Sequence, residues 1–367
     1  MIAAFALRTK ADTCGKTADF SGKSPASGGE LGLSLASRRT TRPIAGQKDS
    51  PAGRQQIFRN CRLAGPVLEL GRPQQMTPRL HDGLRVPQMS QYDPNCEFAK
   101  LLSGRCEVDL VRFMLEVAED AYPQIDRVGC LMEIDRLGVA CHDSAERKSC
   151  GDVRDRLTAI STLLYEVEGF HGNRESYYEP QNSYLNEVLA RRCGIPISLG
   201  ILYIAVAARA GLKMFGVNTP GHFVIGSCCG NGNAMFVDPF NHGDVLDWEA
   251  CRCRIEQVTG QKNQICREHF RAAAPTDIAA RVLQNLKAVH ANQENWPQLL
   301  RVQQRLTALL PQIPQEGRDL GLTYLRLGQP HKALPMLEKY LRVCGSEQAA
   351  ALQPSLQAAK RMLAESN

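Results

Sequence analysis

The chain has 367 residues, 43% of them hydrophobic, enough to bury one full core and leave material for a second. Its basic excess is confined to the start: residues 1–90 carry 14 Lys/Arg against 6 Asp/Glu, while the remaining 277 carry 30 against 32. A near-neutral body excludes the clustered cations of an extended nucleic-acid surface, and no apolar run reaches the ~20 residues that cross a bilayer, so a soluble, cytoplasmic chain with neither nucleic-acid nor membrane partners is expected.

The 14 cysteines are scattered along a long chain whose apolar content needs no covalent staples, so free thiols are expected. Cys228-Cys229 and Cys251-x-Cys253 lack the two-residue gap that lets a knuckle wrap zinc, so no metal site is assigned to them. The sequence holds no phosphate loop or nicotinamide fingerprint, and no cofactor is expected.

Residues 1–92 are rich in Gly, Ser, Pro and Arg, as in SGKSPASGGE and RPIAGQKDSPAGRQQ, and their apolar residues follow neither the helical nor the strand period. They read as a disordered basic segment. The opening MIAAFAL run is too short for a secretory signal and has Arg8 and Lys10 on its wrong side, and Asp12, Asp19 and Glu30 argue against a transit peptide.

Order is expected from about Cys96. Apolar residues from Leu101 to Ala118 keep near-helical spacing and predict one helix over 98–122, stopped by Pro123. A second helix is expected over 125–140, ending after Gly138, and a third over 145–168, closed by Gly169. Together they form a helical cap.

The stretch Asn182-Ser183-Tyr184-Leu185-Asn186-Glu187 reads as a helix start, with Asn182 or Ser183 as cap and Asn186 or Glu187 reaching back to a free amide. Arg191 and Arg192 suit its negative end. After Gly194, Pro196 opens a second helix at the position where a missing N–H costs nothing. From Pro196 to about Ala210 this helix is apolar on nearly every face, which predicts burial all round, and Gly211 stops it.

Two strands follow, Val217 onward through GHFVIGS and the return AMFVDPF, with Gly230-Asn231-Gly232-Asn233 supplying a hairpin turn. A turn symmetric about Gly230 sets Gly226 against Ala234, Val224 against Phe236 and His222 against Asp238. Directly opposed residues share a face with Cβ atoms ~5 Å apart, so a carboxylate would orient the imidazole, as the base and its orienting acid are arranged in a triad.

At these residues the protein resembles the SirB family, bacterial-type proteins with a transglutaminase-like domain inside the wider papain-like superfamily. The segments GFHGNRESYYEPQNSYLNEVLARRCGIPISLGILY, VNTPGHFVIG and FVDPFNHG carry the resemblance, which covers roughly Cys96 to Gly260. It implies an α+β core in which a nucleophilic Cys opens the buried helix, with His and Asp on adjacent strands, here His222 and Asp238. Counted back from Gly211, Pro196 stands where that Cys is expected.

Two residues are candidate substitutes. Cys193 lies just before the helix, near its positive end, and Ser198 lies in the first turn, where a His can deprotonate it. Each also has a structural reading, Cys193 as a small buried filler and Ser198 bonded to backbone. Asn182, Tyr184 and Pro196 are further candidates for lining a cleft. His242 reads as a solvent-facing turn residue.

Past about Ala272, Gly321, Tyr324, Ala333, Leu337 and Tyr340 keep the offsets of a tetratricopeptide helix pair around Gly328-Gln329-Pro330, and Leu286, Leu299 and Leu300 suggest an earlier unit. The resemblance implies this C-terminal pairing too. The expected organisation is a transglutaminase-like (papain-like) α+β domain over 93–270, a buried helix on an antiparallel sheet beneath a helical cap, then a tetratricopeptide-like region over 271–367. Two functions follow: a module lacking the expected nucleophile that binds a protein or peptide through the cleft or the C-terminal helices, or an amide-bond hydrolase or acyltransferase using Cys193 or Ser198 with His222 and Asp238.

Overall fold

The computed structural model describes residues 92–105, 107–147, 152–227, 234–260 and 265–365. The expected disordered segment, the Gly230–Asn233 turn and Cys228-Cys229 lie outside the described residues. The helix expected over 98–122 is two helices, α1 (Glu97–Leu102) and α2 (Leu110–Glu119). Ser103 and Gly104, the latter at φ +69°, turn the chain between them, and the Asp109 carboxylate restarts the helix by accepting from the amides of Val111 and Arg112. Glu116 of α2 accepts from the amides of Glu97 and Phe98 at 2.7 and 3.0 Å, satisfying two free donors of α1.

Helix α3 (Arg127–Arg147) runs past its expected end. Gly138 is a contact rather than a stop, since a Cβ there would meet Arg209 at 2.3 Å. The helix expected over 145–168 is α4 (Val153–Ser161) continued by a π-helical turn, Thr162–Val167. A short parallel pair, β1 (His171–Gly172) with β2 (Cys193–Gly194), flanks α5 (Leu185–Arg191). The capping expected at Asn182 or Ser183 is absent: Tyr184 occupies the cap position without a side-chain bond, and Arg192 at φ 55° ends α5.

The buried helix α6 (Pro196–Arg209) meets its expected start, with Pro196 in the first turn and eleven of its fourteen residues buried. It packs on a four-stranded antiparallel sheet in the order β3 (Met214–Thr219), β4 (His222–Ser227), β5 (Met235–Asp238), β6 (Asp244–Leu246). The period of two gives each strand two faces. Phe223, Ile225 and Val237 join α6 in the main core, while Val217, Val224 and Phe236 meet Cys251 and Ile255 of α7 (Trp248–Thr259) on the other side. Close approach of α6 to the sheet depends on Gly200, where a Cβ would stand 2.6 Å from the Phe223 ring.

Five helices complete the α+β fold: α8 (Pro275–Asn292), α9 (Trp296–Leu309), α10 (Pro314–Arg326), α11 (Pro330–Leu341) and α12 (Ser346–Glu365). Ile278, Leu283 and Leu286 of α8 and Val302 and Leu306 of α9 belong to the same core as α6. Beyond them, Leu320, Tyr324 and Ala333 form one small cluster and Leu337, Tyr340, Leu352 and Leu356 another, so α10–α12 stack on one another as helix pairs.

Candidate functional site

His222 opens β4 and Asp238 closes β5. The strands pair with Ile225 against Val237, Gly226 against Phe236 and Ser227 against Met235, two residues away from the expected register. Because the shift is even, each side chain keeps its face, and His222 reaches Asp238 diagonally instead of directly. Nε2 of His222 lies 3.0 Å from Asp238 Oδ1, with both residues buried.

Asp238 is saturated with donors. Its Oδ1 also accepts from the amides of Phe240 and Asn241 at 3.1 and 3.3 Å, and its Oδ2 from Asn241 Nδ2 at 2.7 Å and Arg254 Nη1 at 2.9 Å. Burial alone would raise its pKa, but bonding and charge from His222, then Asn241 and Arg254, outweigh it and hold the carboxyl well below the usual carboxylate range. An ionised Asp238 only accepts, so Nε2 of His222 carries a proton that it donates to Oδ1. Nδ1 bonds no described residue.

The turn after Asp238 is clamped from the helical side. Tyr165 donates to the Pro239 carbonyl at 2.8 Å and Ser161 to that of Gly243 at 2.7 Å. Arg174 bonds Asn241 and lies 5.6 Å over the Phe240 ring, which Tyr177 meets edge-on. His242, at φ 55°, is exposed.

At the head of α6 the candidate nucleophiles are engaged elsewhere. Ser198 is fully buried; its Oγ donates to the Asn182 carbonyl at 2.6 Å and accepts from the Ile195 amide at 3.1 Å. Cys193 sits in β2, paired with His171, and burial pushes its thiol pKa up. Neither bonds the His222 ring.

Asn182, also fully buried, accepts from Asn173 Nδ2 and donates to the carbonyls of Ser176 and Tyr177, tying the 173–182 segment to α6. Tyr184 bonds Nε2 of His290 on α8 at 2.8 Å, and so joins the core to the C-terminal helices. Pro196 begins α6 as a helix starter.

Sequence reasoning missed two cations. Arg254 of α7 bridges Asp238 and Asp244, and Arg281 of α8 donates from Nη1 to Asn218 Oδ1 and, at 2.9 Å, to the Thr219 carbonyl. The available signal was Arg281 itself, a cation beside the apolar stripe of Ile278, Val282 and Leu286. Cys251 is buried, its thiol pushed up to about 12 chiefly by burial, and Cys253 is exposed. Among the described residues no three His, Cys, Asp or Glu side chains gather as a metal site, and no helix is long and apolar enough to cross a membrane.

The pattern of the transglutaminase-like superfamily matches residues 129–284, and that of the tetratricopeptide repeat matches 286–363. A UPF0162 protein of Xylella fastidiosa strain Temecula1 is 34% identical over 237 residues, covering 64% of this chain and 83% of the relative. A UPF0162 protein of Vibrio cholerae is 27% identical over 201 residues, 55% of this chain and 74% of its own length. F-box only protein 21 of Mus musculus is 39% identical over 108 residues, 28% of this chain and 17% of that protein. No solved structure matches.

Proposed function

The chain belongs to the UPF0162 family, and from that premise we propose that it is a protein- or peptide-binding module on a transglutaminase-like scaffold that has given up acyl transfer. The observation carrying this reading is the hydroxyl of Ser198, fully buried and bonded to the Asn182 carbonyl at 2.6 Å, in a first turn that opens with Pro196. A hydroxyl held by backbone on both sides is a helix-start fastener, not a nucleophile facing a base. The raised pKa of Cys193 supports the same reading, because the thiolate is the reactive form.

The reading extends to the tetratricopeptide-like helices, which offer a second partner surface. The 108 residues shared with a protein of which they are only 17% support a unit that serves inside different proteins. Among the described residues the cysteines are free thiols, which supports a reducing compartment such as the cytoplasm. The SirB resemblance belongs to this proposal as well.

A second reading keeps one observation in its favour: Nδ1 of His222, oriented by Asp238 and bonded to no described residue, is arranged as a general base. The purified protein treated with an iodoacetamide probe and a fluorophosphonate probe from pH 5 to 9, beside His222→Ala, separates the two. The binding module predicts labelling of Cys193 and Ser198 no faster than the other thiols and hydroxyls and unchanged by the substitution. Rapid labelling of either, lost in His222→Ala, would establish the hydrolase or acyltransferase instead.

A further inference from the structure

Arg281 is mostly buried, yet no carboxylate of a described residue pairs with it. Nη1 is used by Asn218 and Thr219, at the end of β3. Nε and Nη2 bond no described residue, and neither is among the fully buried polar atoms without a partner, so both keep contact with solvent. Burial lowers the guanidinium pKa to about 10, opposed among the described residues by Tyr177. Thr219 pairs with His222, so Arg281 borders the start of β4.

A half-buried guanidinium with no carboxylate of a described residue beside it is under-satisfied, and perturbed charged groups of this kind cluster at functional sites. Nε and Nη2 lie on one edge of the fork and present two parallel N–H donors, the arrangement that a carboxylate accepts in bidentate fashion. We propose that Arg281 is a binding site for a peptide carboxylate, either the terminal one or that of an acidic side chain. The site rests on the binding-module reading and supplies its ligand chemistry. Asn218 holds the fork in place through Nη1, leaving the opposite edge for the ligand.

The test follows the Arg281 Nε–H resonance by NMR in the full-length protein, assigned by its loss in Arg281→Met. N-acetylglycine and N-acetylglycinamide probe the terminus; N-acetylglutamic acid α-amide and N-acetylglutamine amide probe the side chain. A saturable shift with one or both carboxylates and none with the amides is expected, and the responding acid identifies the source. Asn218→Asp places an internal carboxylate on the guanidinium and is expected to weaken the titration about tenfold or more. No saturable shift in the wild type, or equal affinity in Asn218→Asp, overturns the site. Covalent labelling of Cys193 or Ser198 would overturn the binding-module reading while leaving the titration intact, so the two failures are distinguishable.

Discussion

Buried cations are handled differently in two neighbouring regions of this molecule. At the α8–α10 junction, Lys287 is held by Glu316 at 2.6 Å and Asp319 at 2.7 Å, and Arg305 of α9 by Asp120 at 2.6 Å. Burial would lower both pKa values, but the facing carboxylates reverse the direction. Less than two turns earlier on α8, Arg281 has amide and carbonyl oxygens and no carboxylate of a described residue, and its pKa falls. The junction is closed electrostatically, whereas the contact of α8 with the end of β3 keeps a cation that no described carboxylate matches. Lys287 and Arg305 find their counter-charges within the protein; the proposed peptide carboxylate would supply that of Arg281.

The comparison breaks most sharply at Lys287. Replacement by Met strands the buried Glu316 carboxylate, with Asp319 keeping Arg318. A loss of about 3–5 kcal/mol in urea unfolding is expected. A loss below about 1 kcal/mol would mean that the junction does not depend on its matched charges.

His290 tests the contact of α8 with Tyr184 by pH. Burial lowers its pKa from 6.5 to about 4, so the folded protein prefers the neutral ring. The unfolded protein takes up the proton first, and this contribution is full above pH 6.5 and lost as pH falls towards 4, up to roughly 3 kcal/mol. His290→Gln, which keeps a polar partner for Tyr184, is expected to flatten the stability profile across that window. An unchanged slope would show that His290 is accessible to protons in the fold.

The smallest effect belongs to Arg281. Asn218→Asp gives Arg281 the counter-charge it lacks, and a gain of about 1–2 kcal/mol in unfolding free energy at pH 7 is expected. A loss of stability would place an unseen compensating group beside Arg281 and dissolve the contrast between the regions.

Much of this architecture was legible in the sequence. Helix α6 could be read because an uninterrupted apolar run between Pro196 and Gly211 has few alternatives to a buried helix. The His222–Asp238 contact survived an error in register because strand faces repeat every two residues, so a shift of two changes the neighbour but not the side. The break at Ser103 and Gly104 was hidden because Leu101 and Val108 keep helical spacing across it, and periodicity cannot register a turn that preserves phase. Arg281 was invisible for another reason. Its lack of a counter-charge is a property of α8, β3 and the 177–182 segment together, and no local pattern in the sequence encodes it.

The shared core of α6, α8 and α9 bears on how the protein can be divided. The two family patterns meet between 284 and 286, inside α8, with Leu283 and Leu286 on either side buried in one core. The boundary between the inherited patterns is thus not a boundary of cooperativity. A protein ended at residue 285 would keep Leu283 without the Leu286, Val302 and Leu306 side chains that complete its core. The first two C-terminal helices are the back wall of the transglutaminase-like domain as well as the foundation on which the remaining three are stacked.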